Sequence, residues 1–117
     1  MTRKRNDKHS TEFGLWLREQ KVIESKKGYL ASNLDFIWAN WKNKKWLLIE
    51  EKRYMSDMKR WQREMFKTLH NAAKNEPNYK GFYFIQFEKT NPEDGRIYIN
   101  YKEKTKQDLF NLLMFRS

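Results

Sequence analysis

Trp46-Leu47-Leu48-Ile49-Glu50-Glu51-Lys52 is an apolar run that ends abruptly in two acids and a lysine. A β-strand alternates its side chains between faces, so Glu50 and Lys52 share one face and Glu51 points to the other. A carboxylate beside an apolar run is costly to bury without a partner. The stretch therefore predicts a buried strand whose end needs a cation, either an internal side chain or a bound metal.

Upstream, Leu34-Asp35-Phe36-Ile37-Trp38-Ala39 is rich in apolar and aromatic residues with a single acid inside, which predicts a second strand. Asn40 to Lys45 is polar enough to be the turn between them. With the turn centred between Lys42 and Asn43, Ala39 faces Trp46, Ile37 faces Leu48 and Asp35 faces Glu50. Directly opposed residues have Cβ atoms about 4.5–5.5 Å apart, and like charges there are destabilising. Two acids meeting on the apolar face of a hairpin make poor structural design but good ligands for a divalent cation. The alternative is an internal ion-pair network without chemistry. The opposition of Asp35 and Glu50 depends on register, because a slip of one residue moves Asp35 to the other face.

The chain has 117 residues, enough for one core. Its 25 Lys and Arg against 15 Asp and Glu give a formal charge of +10, which favours a polyanionic partner, nucleic acid before an anionic membrane. Cysteine is absent, which excludes a disulfide framework and a thiolate zinc site. No apolar run is long enough to span a bilayer and the first residues are charged, so the expectation is a soluble, cytoplasmic protein with no membrane partner. Only 38% of residues are hydrophobic, but five Trp, six Tyr and eight Phe argue against disorder.

Residues 1–9 carry Arg3, Lys4, Arg5 and Lys8 and read as a flexible basic arm able to contact phosphates. Ser10-Thr11-Glu12 resembles a helix start, with Phe13, Trp16, Leu17 and Gln20 as the inward stripe. A short strand is expected between Lys21 and Ser32, at Val22-Ile23 or Tyr29-Leu30. A second helix is expected from Ser56 or Asp57 to about Ala73, with Met58, Trp61, Met65, Leu69 and Ala72 facing the core and Gln62 beside them. Gly81 to Phe87 is a strongly apolar strand. The strand–helix–strand order from Trp46 to Phe87 predicts two parallel neighbours. Arg96 to Tyr101 should return antiparallel, and Asp108 to Phe115 should form a helix apolar on most of its circumference. The resulting fold class is α/β (α+β), a mixed central sheet flanked by helices in the order α-β-β-β-α-β-β-α. Its divisions are the arm at 1–9, a core at 10–103 and an apolar C-terminal helix at 104–117 that is a candidate dimer interface.

An acid-x-lysine triplet carries little information alone, and Glu19-Gln20-Lys21, Glu24-Ser25-Lys26 and Asp57-Met58-Lys59 are further examples. Only Glu50-Glu51-Lys52 closes an apolar strand with an acid at hairpin distance. In that context the chain from Glu12 to Phe87 resembles the PD-(D/E)XK nuclease superfamily, with a restriction-endonuclease-like core. The resemblance implies that Asp35 and Glu50 bind Mg²⁺ or Mn²⁺ through their carboxylates and that the main-chain carbonyl of Glu51 adds a ligand. It implies that Glu12 supplies a first-helix acid and that Lys52 is the catalytic lysine. Gln62 is similar to the glutamine that archaeal junction resolvases and related virus-type nucleases place on the helix after the motif. Leu34 stands where the family often has proline.

The resemblance and the charge together imply a metal-dependent DNA endonuclease, structure-selective and junction-resolvase-like, acting as a homodimer and of a size typical of virus- or mobile-element-encoded enzymes. Arg53, Lys59 and Arg63 come after the site in the chain and are the expected strand contacts, together with the arm. The alternative is a binding module of the same fold that keeps the charge and does not cut.

Overall fold

The structure is a computed structural model that describes residues 12–27 and 34–116. It divides into two compact units, Met1–Ser32 and Asn33–Ser117. Residues of the basic arm, including Arg3, Lys4 and Arg5, lie outside the described residues, as does Tyr29-Leu30.

In the first unit, α1 spans Glu12–Glu19 and is followed by single 3-10 turns at Lys21–Ile23 and Ser25–Lys27. The strand expected at Val22-Ile23 is therefore absent. The expected inward stripe is also displaced. Leu15 is buried, while Phe13 and Trp16 are exposed and stack on each other with ring centroids 6.0 Å apart.

The second unit is a five-stranded sheet in the order β1-β2-β3-β4-β5. The strands are β1 (Phe36–Ala39), β2 (Trp46–Lys52), β3 (Tyr79–Phe87), β4 (Ile97–Ile99) and β5 (Lys102–Lys104), with α2 (Arg60–Ala73) and α3 (Lys106–Leu113). β2 and β3 are parallel and joined through α2, and all other pairs are antiparallel. The β1–β2 register pairs Ala39 with Trp46 and Ile37 with Leu48, as a turn centred between Lys42 and Asn43 requires. The β2–β3 register shifts between Trp46 and Leu48, where Lys80 and Gly81 bulge. Gly81 has φ +119°, and a Cβ there would meet the Tyr83 ring at 3.3 Å, so the bulge requires glycine.

The two faces of the sheet are served by different helices. Leu47, Ile49, Ile85, Phe87, Ile97 and Ile99 form the core with Leu109 of α3, and Leu112, Leu113 and Phe115 pack against it. The opposite face, carrying Leu48, Glu50, Phe82 and Phe84, receives α2 through Phe66, whose ring lies 5.1 Å from that of Phe82. Leu47, Leu48 and Phe84 are the largest fully buried side chains, and each contributes about 1.5–3 kcal/mol by leaving water.

Four expectations change. The inward line of α2 is rotated by one residue, to Gln62, Phe66, His70 and Ala73, leaving Trp61, Met65 and Leu69 exposed. Aromatic contact sets this rotation, since His70 also meets Tyr79, Nδ1 to hydroxyl, at 2.7 Å. The helix starts at Arg60, with the Lys59 N–H capped by Gln62 Oε1, and not at Ser56 or Asp57; the Asp57 carboxylate is engaged by the Tyr101 hydroxyl and Arg63. The last strand is two: Asn100 (φ 50°) and Tyr101 (φ 69°) make a two-residue turn of the I′ kind into β5. Finally, α3 begins at Lys106, capped reciprocally by Thr105 and Asp108, and spends its apolar face on its own sheet. Phe110 and Met114 stay exposed.

Candidate functional site

The site forms where the β1–β2 hairpin meets the end of the apolar run. Glu50 is 2% exposed. Asp35 precedes β1, one residue beyond the Phe36–Ile49 pair, and so lies level with Glu50 across the hairpin. Two backbone hydrogen bonds hold the acids there. The Asp35 N–H donates to Glu50 Oε1 at 3.3 Å, and the Glu51 N–H donates to Asp35 Oδ2 at 2.9 Å. Asp35 is itself solvent-exposed, so the pair has one buried member and one open to solvent.

Lys52 lies two residues along the same face, with Nζ 3.8 Å from Glu50 Oε2. That is a weak ion pair at this distance, and it does not neutralise the site. Burial pushes the Glu50 carboxyl up to about 7, the charge of Asp35 adds to the rise, and Lys52 opposes it. Glu51 points to the face that carries α3 and is half-buried. Its side chain cannot reach the Asp35–Glu50 side of the sheet, whereas its main chain already contacts Asp35.

The other expected residues are spread over α2, the segment before it and α1. Gln62 sits in the first turn of α2, half-buried, and its Oε1 accepts the Lys59 N–H at 3.0 Å, so it caps the helix. Arg63 donates to Asp57 Oδ2 at 3.3 Å and to the Tyr101 hydroxyl at 3.4 Å. Arg53 and Lys59 are exposed on the segment between β2 and α2. Glu12 opens α1 in the other unit and is exposed. Among the described residues, no three His, Cys, Asp or Glu side chains are grouped to hold a metal ion, so Asp35 and Glu50 stand as a pair.

Two features escaped the reading of the sequence. Gln86 pairs in register with Lys52, is 4% exposed, and donates from Nε2 to the Ser56 carbonyl at 3.1 Å. It ties the segment after Lys52 to the sheet. The signal was a lone amide inside the apolar run of Gly81 to Phe87. The second is Tyr101, a bulky residue in left-handed backbone. Its ring lies 5.4 Å from that of Phe84, and its hydroxyl donates to Asp57 Oδ1 at 2.8 Å. Phe84 is in turn the β3 neighbour of Glu50. Nothing short of the turn geometry would have linked Tyr101 to Asp57.

The segment between Lys52 and α2 is itself constrained. Tyr54 (φ 54°) and Met55 (φ 58°) are both left-handed, and their N–H groups donate to the Lys89 and Phe87 carbonyls at 2.9 and 3.0 Å. Left-handed non-glycine residues in succession persist only where the surroundings over-determine them. Here the end of β3 does so, and it fixes the direction in which the chain leaves the site.

No family model matches the chain, and no curated protein and no solved structure matches it.

Proposed function

We propose that the chain is a metal-dependent nuclease that hydrolyses phosphodiester bonds in DNA at the Asp35–Glu50–Lys52 site. The observation that carries this reading is the opposition of Asp35 and Glu50 across the β1–β2 hairpin, with Lys52 beside Glu50 on the same face. A protein built only for stability gains nothing by placing a second acid beside a buried carboxylate.

The donor set suits a hard cation. Two carboxylates and a nearby main-chain carbonyl are all oxygen, and Mg²⁺ takes few protein ligands while keeping several waters. Asp35 and Glu50 would hold it through their carboxylates, with the Glu51 carbonyl as a further ligand. When bound, a divalent cation there supplies charge stabilisation at phosphate and a water of lowered pKa.

The protein's own residues do the rest. The exposed Asp35 marks the side from which a phosphate enters. Lys52 places a positive charge next to the acids and stabilises negative charge developing on the phosphate, or orients the attacking water. Arg53, Lys59 and Arg63 extend positive charge away from the site, and Arg63 is held in place by Asp57 and Tyr101. The formal charge of +10 supports a polyanionic substrate. Within this reading the substrate is selected by DNA structure, as in junction resolution, more than by sequence. A homodimer through the exposed Phe110 and Met114 of α3 would present two such sites to opposed strands.

The test is cleavage of labelled junction, duplex and single-stranded DNA with Mg²⁺ or with EDTA, comparing wild type with Asp35→Asn and Lys52→Ala. Cutting by the wild type alone, and only with metal, supports the reading. A wild type that binds DNA without cutting any substrate points instead to a binding module.

A further inference from the structure

The tip of the β1–β2 hairpin, Asn40 to Lys45, is far better ordered by hydrogen bonds than a simple connection needs. The Asn40 N–H donates to the Lys45 carbonyl at 2.9 Å, and the Lys44 N–H donates to the Asn40 carbonyl at 2.8 Å. Asn40 Oδ1 accepts the N–H groups of Lys42 and Asn43 at 2.9 and 3.4 Å, and Asn43 Oδ1 accepts that of Lys45 at 3.0 Å. Lys44 takes φ 67°, which this lattice of bonds enforces.

On this rigid tip Trp41 is 76% exposed, the most exposed of the large apolar side chains described. The Lys42 ammonium sits 5.8 Å from its ring centroid. No acid occurs between Phe36 and Ile49, and among the described residues Lys42, Lys44 and Lys45 form no ion pair. A flat indole held out from the fold among unpaired cations is the combination that binds an unpaired strand. Bases stack on the ring in any sequence, and lysines meet the phosphates. The rise along β2 from Trp46 to Glu50 is about 13 Å, which places the tip a short strand's length from the acids. Along that edge Ile37, on the Glu50 face, is also strongly exposed.

We infer that the hairpin tip is a docking surface for single-stranded DNA, with Trp41 stacking on an unpaired base and Lys42, Lys44 and Lys45 contacting the flanking phosphates. This rests on the nucleic-acid part of the proposed function and is independent of hydrolysis. It makes the unpaired strand beside a junction or fork the feature the protein selects.

The experiment is fluorescence anisotropy of a labelled oligo-thymidine and of a labelled blunt hairpin duplex, in EDTA, with wild type, Trp41→Ala, Trp41→Phe and the pair Lys42→Gln/Lys44→Gln. The exposed position leaves folding intact. Trp41→Ala should weaken oligo-thymidine binding roughly tenfold, the loss of one stacked base. Trp41→Phe should retain most of it, and duplex affinity should be unchanged in both. The lysine pair should weaken both ligands and flatten the salt slope for the single strand by about 1.4. The inference is overturned if Trp41→Ala binds oligo-thymidine like wild type, if it loses both ligands equally, or if the wild type binds neither. A wild type that binds but never cuts leaves it standing and removes the hydrolytic reading. A wild type that cuts while Trp41→Ala binds normally does the reverse.

Discussion

The Asp35 N–H donates to Glu50 Oε1 across the β1–β2 hairpin at 3.3 Å, so a backbone donor, not a cation, is the nearest partner of the buried carboxylate. One hydrogen bond and a lysine at 3.8 Å leave Glu50 under-neutralised. Its carboxyl sits at about 7, chiefly through burial and then through Asp35.

That displacement has a direction for stability. Between the ordinary carboxyl value of 4.5 and about 7, the folded metal-free protein binds more protons at Glu50 than the unfolded chain does. Stability from this group is therefore present at low pH and is lost as pH rises from 4.5 through about 7, by on the order of 3 kcal/mol. Glu50→Gln should remove the loss. Thermal unfolding in EDTA should show the variant gaining on wild type from pH 5 to pH 8. A wild type that gains on the variant over that range would contradict the placement of Glu50 in a poorly compensated interior.

The two adjacent glutamates should separate under titration with Mn²⁺. Glu51→Ala keeps the main-chain carbonyl and should retain metal-dependent stabilisation, since its side chain points to the α3 face. Glu50→Ala should lose it. Thermal shift against metal concentration reads both, because a ligand that binds only the folded state raises stability logarithmically with its concentration. Equal loss in both variants would overturn the assignment of faces.

Lys52→Ala should leave DNA binding in EDTA nearly intact and reduce the single-turnover cleavage rate by about 10²–10³, the usual loss for one group that stabilises transition-state charge. Unimpaired cleavage would exclude Lys52 from the chemistry.

The rotated face of α2 is open to a stability measurement. Phe66→Ala should cost about 3–5 kcal/mol by emptying the contact with Phe82, whereas Met65→Ala should change stability by about 0.5 kcal/mol or less. Urea unfolding of the two variants distinguishes them, and the opposite ranking would restore the stripe that periodicity alone predicts.

Local pattern was most informative where the chain is short-range and two-sided. The Trp46–Lys52 strand, the turn centre between Lys42 and Asn43, and the parallel pairing of β2 with β3 were all legible, because alternation and loop length determine them. The juxtaposition of Asp35, Glu50 and Lys52 came from that register. Periodicity failed on helices. Both Phe66 and Met65 are apolar, and only the position of Phe82 on the sheet decides which one faces inward. In α1, too, spacing alone did not single out Leu15 over Phe13 as the buried residue. β5 was hidden because Lys102-Glu103-Lys104 has no apolar signature. Its existence depends on the left-handed turn at Asn100-Tyr101, which lacks the glycine that usually announces one. Gln86 and Tyr101 were missed for a related reason: their partners, Ser56 and Asp57, are distant in sequence and meet them only through the sheet.

Asp35, Glu50 and Lys52 are proposed to form a metal-dependent phosphodiester-cleaving site. Its most direct test is a time course of end-labelled four-way junction, duplex and single-stranded DNA with wild type, Asp35→Asn and Lys52→Ala, each with Mg²⁺, Mn²⁺ or EDTA. The wild type should cut with metal and not with EDTA, while Asp35→Asn binds the DNA and leaves it whole and Lys52→Ala binds it and cuts about 10²–10³ more slowly. Intact DNA after incubation with the wild type on every substrate and with either metal, or cutting that persists in Asp35→Asn, would contradict the proposal.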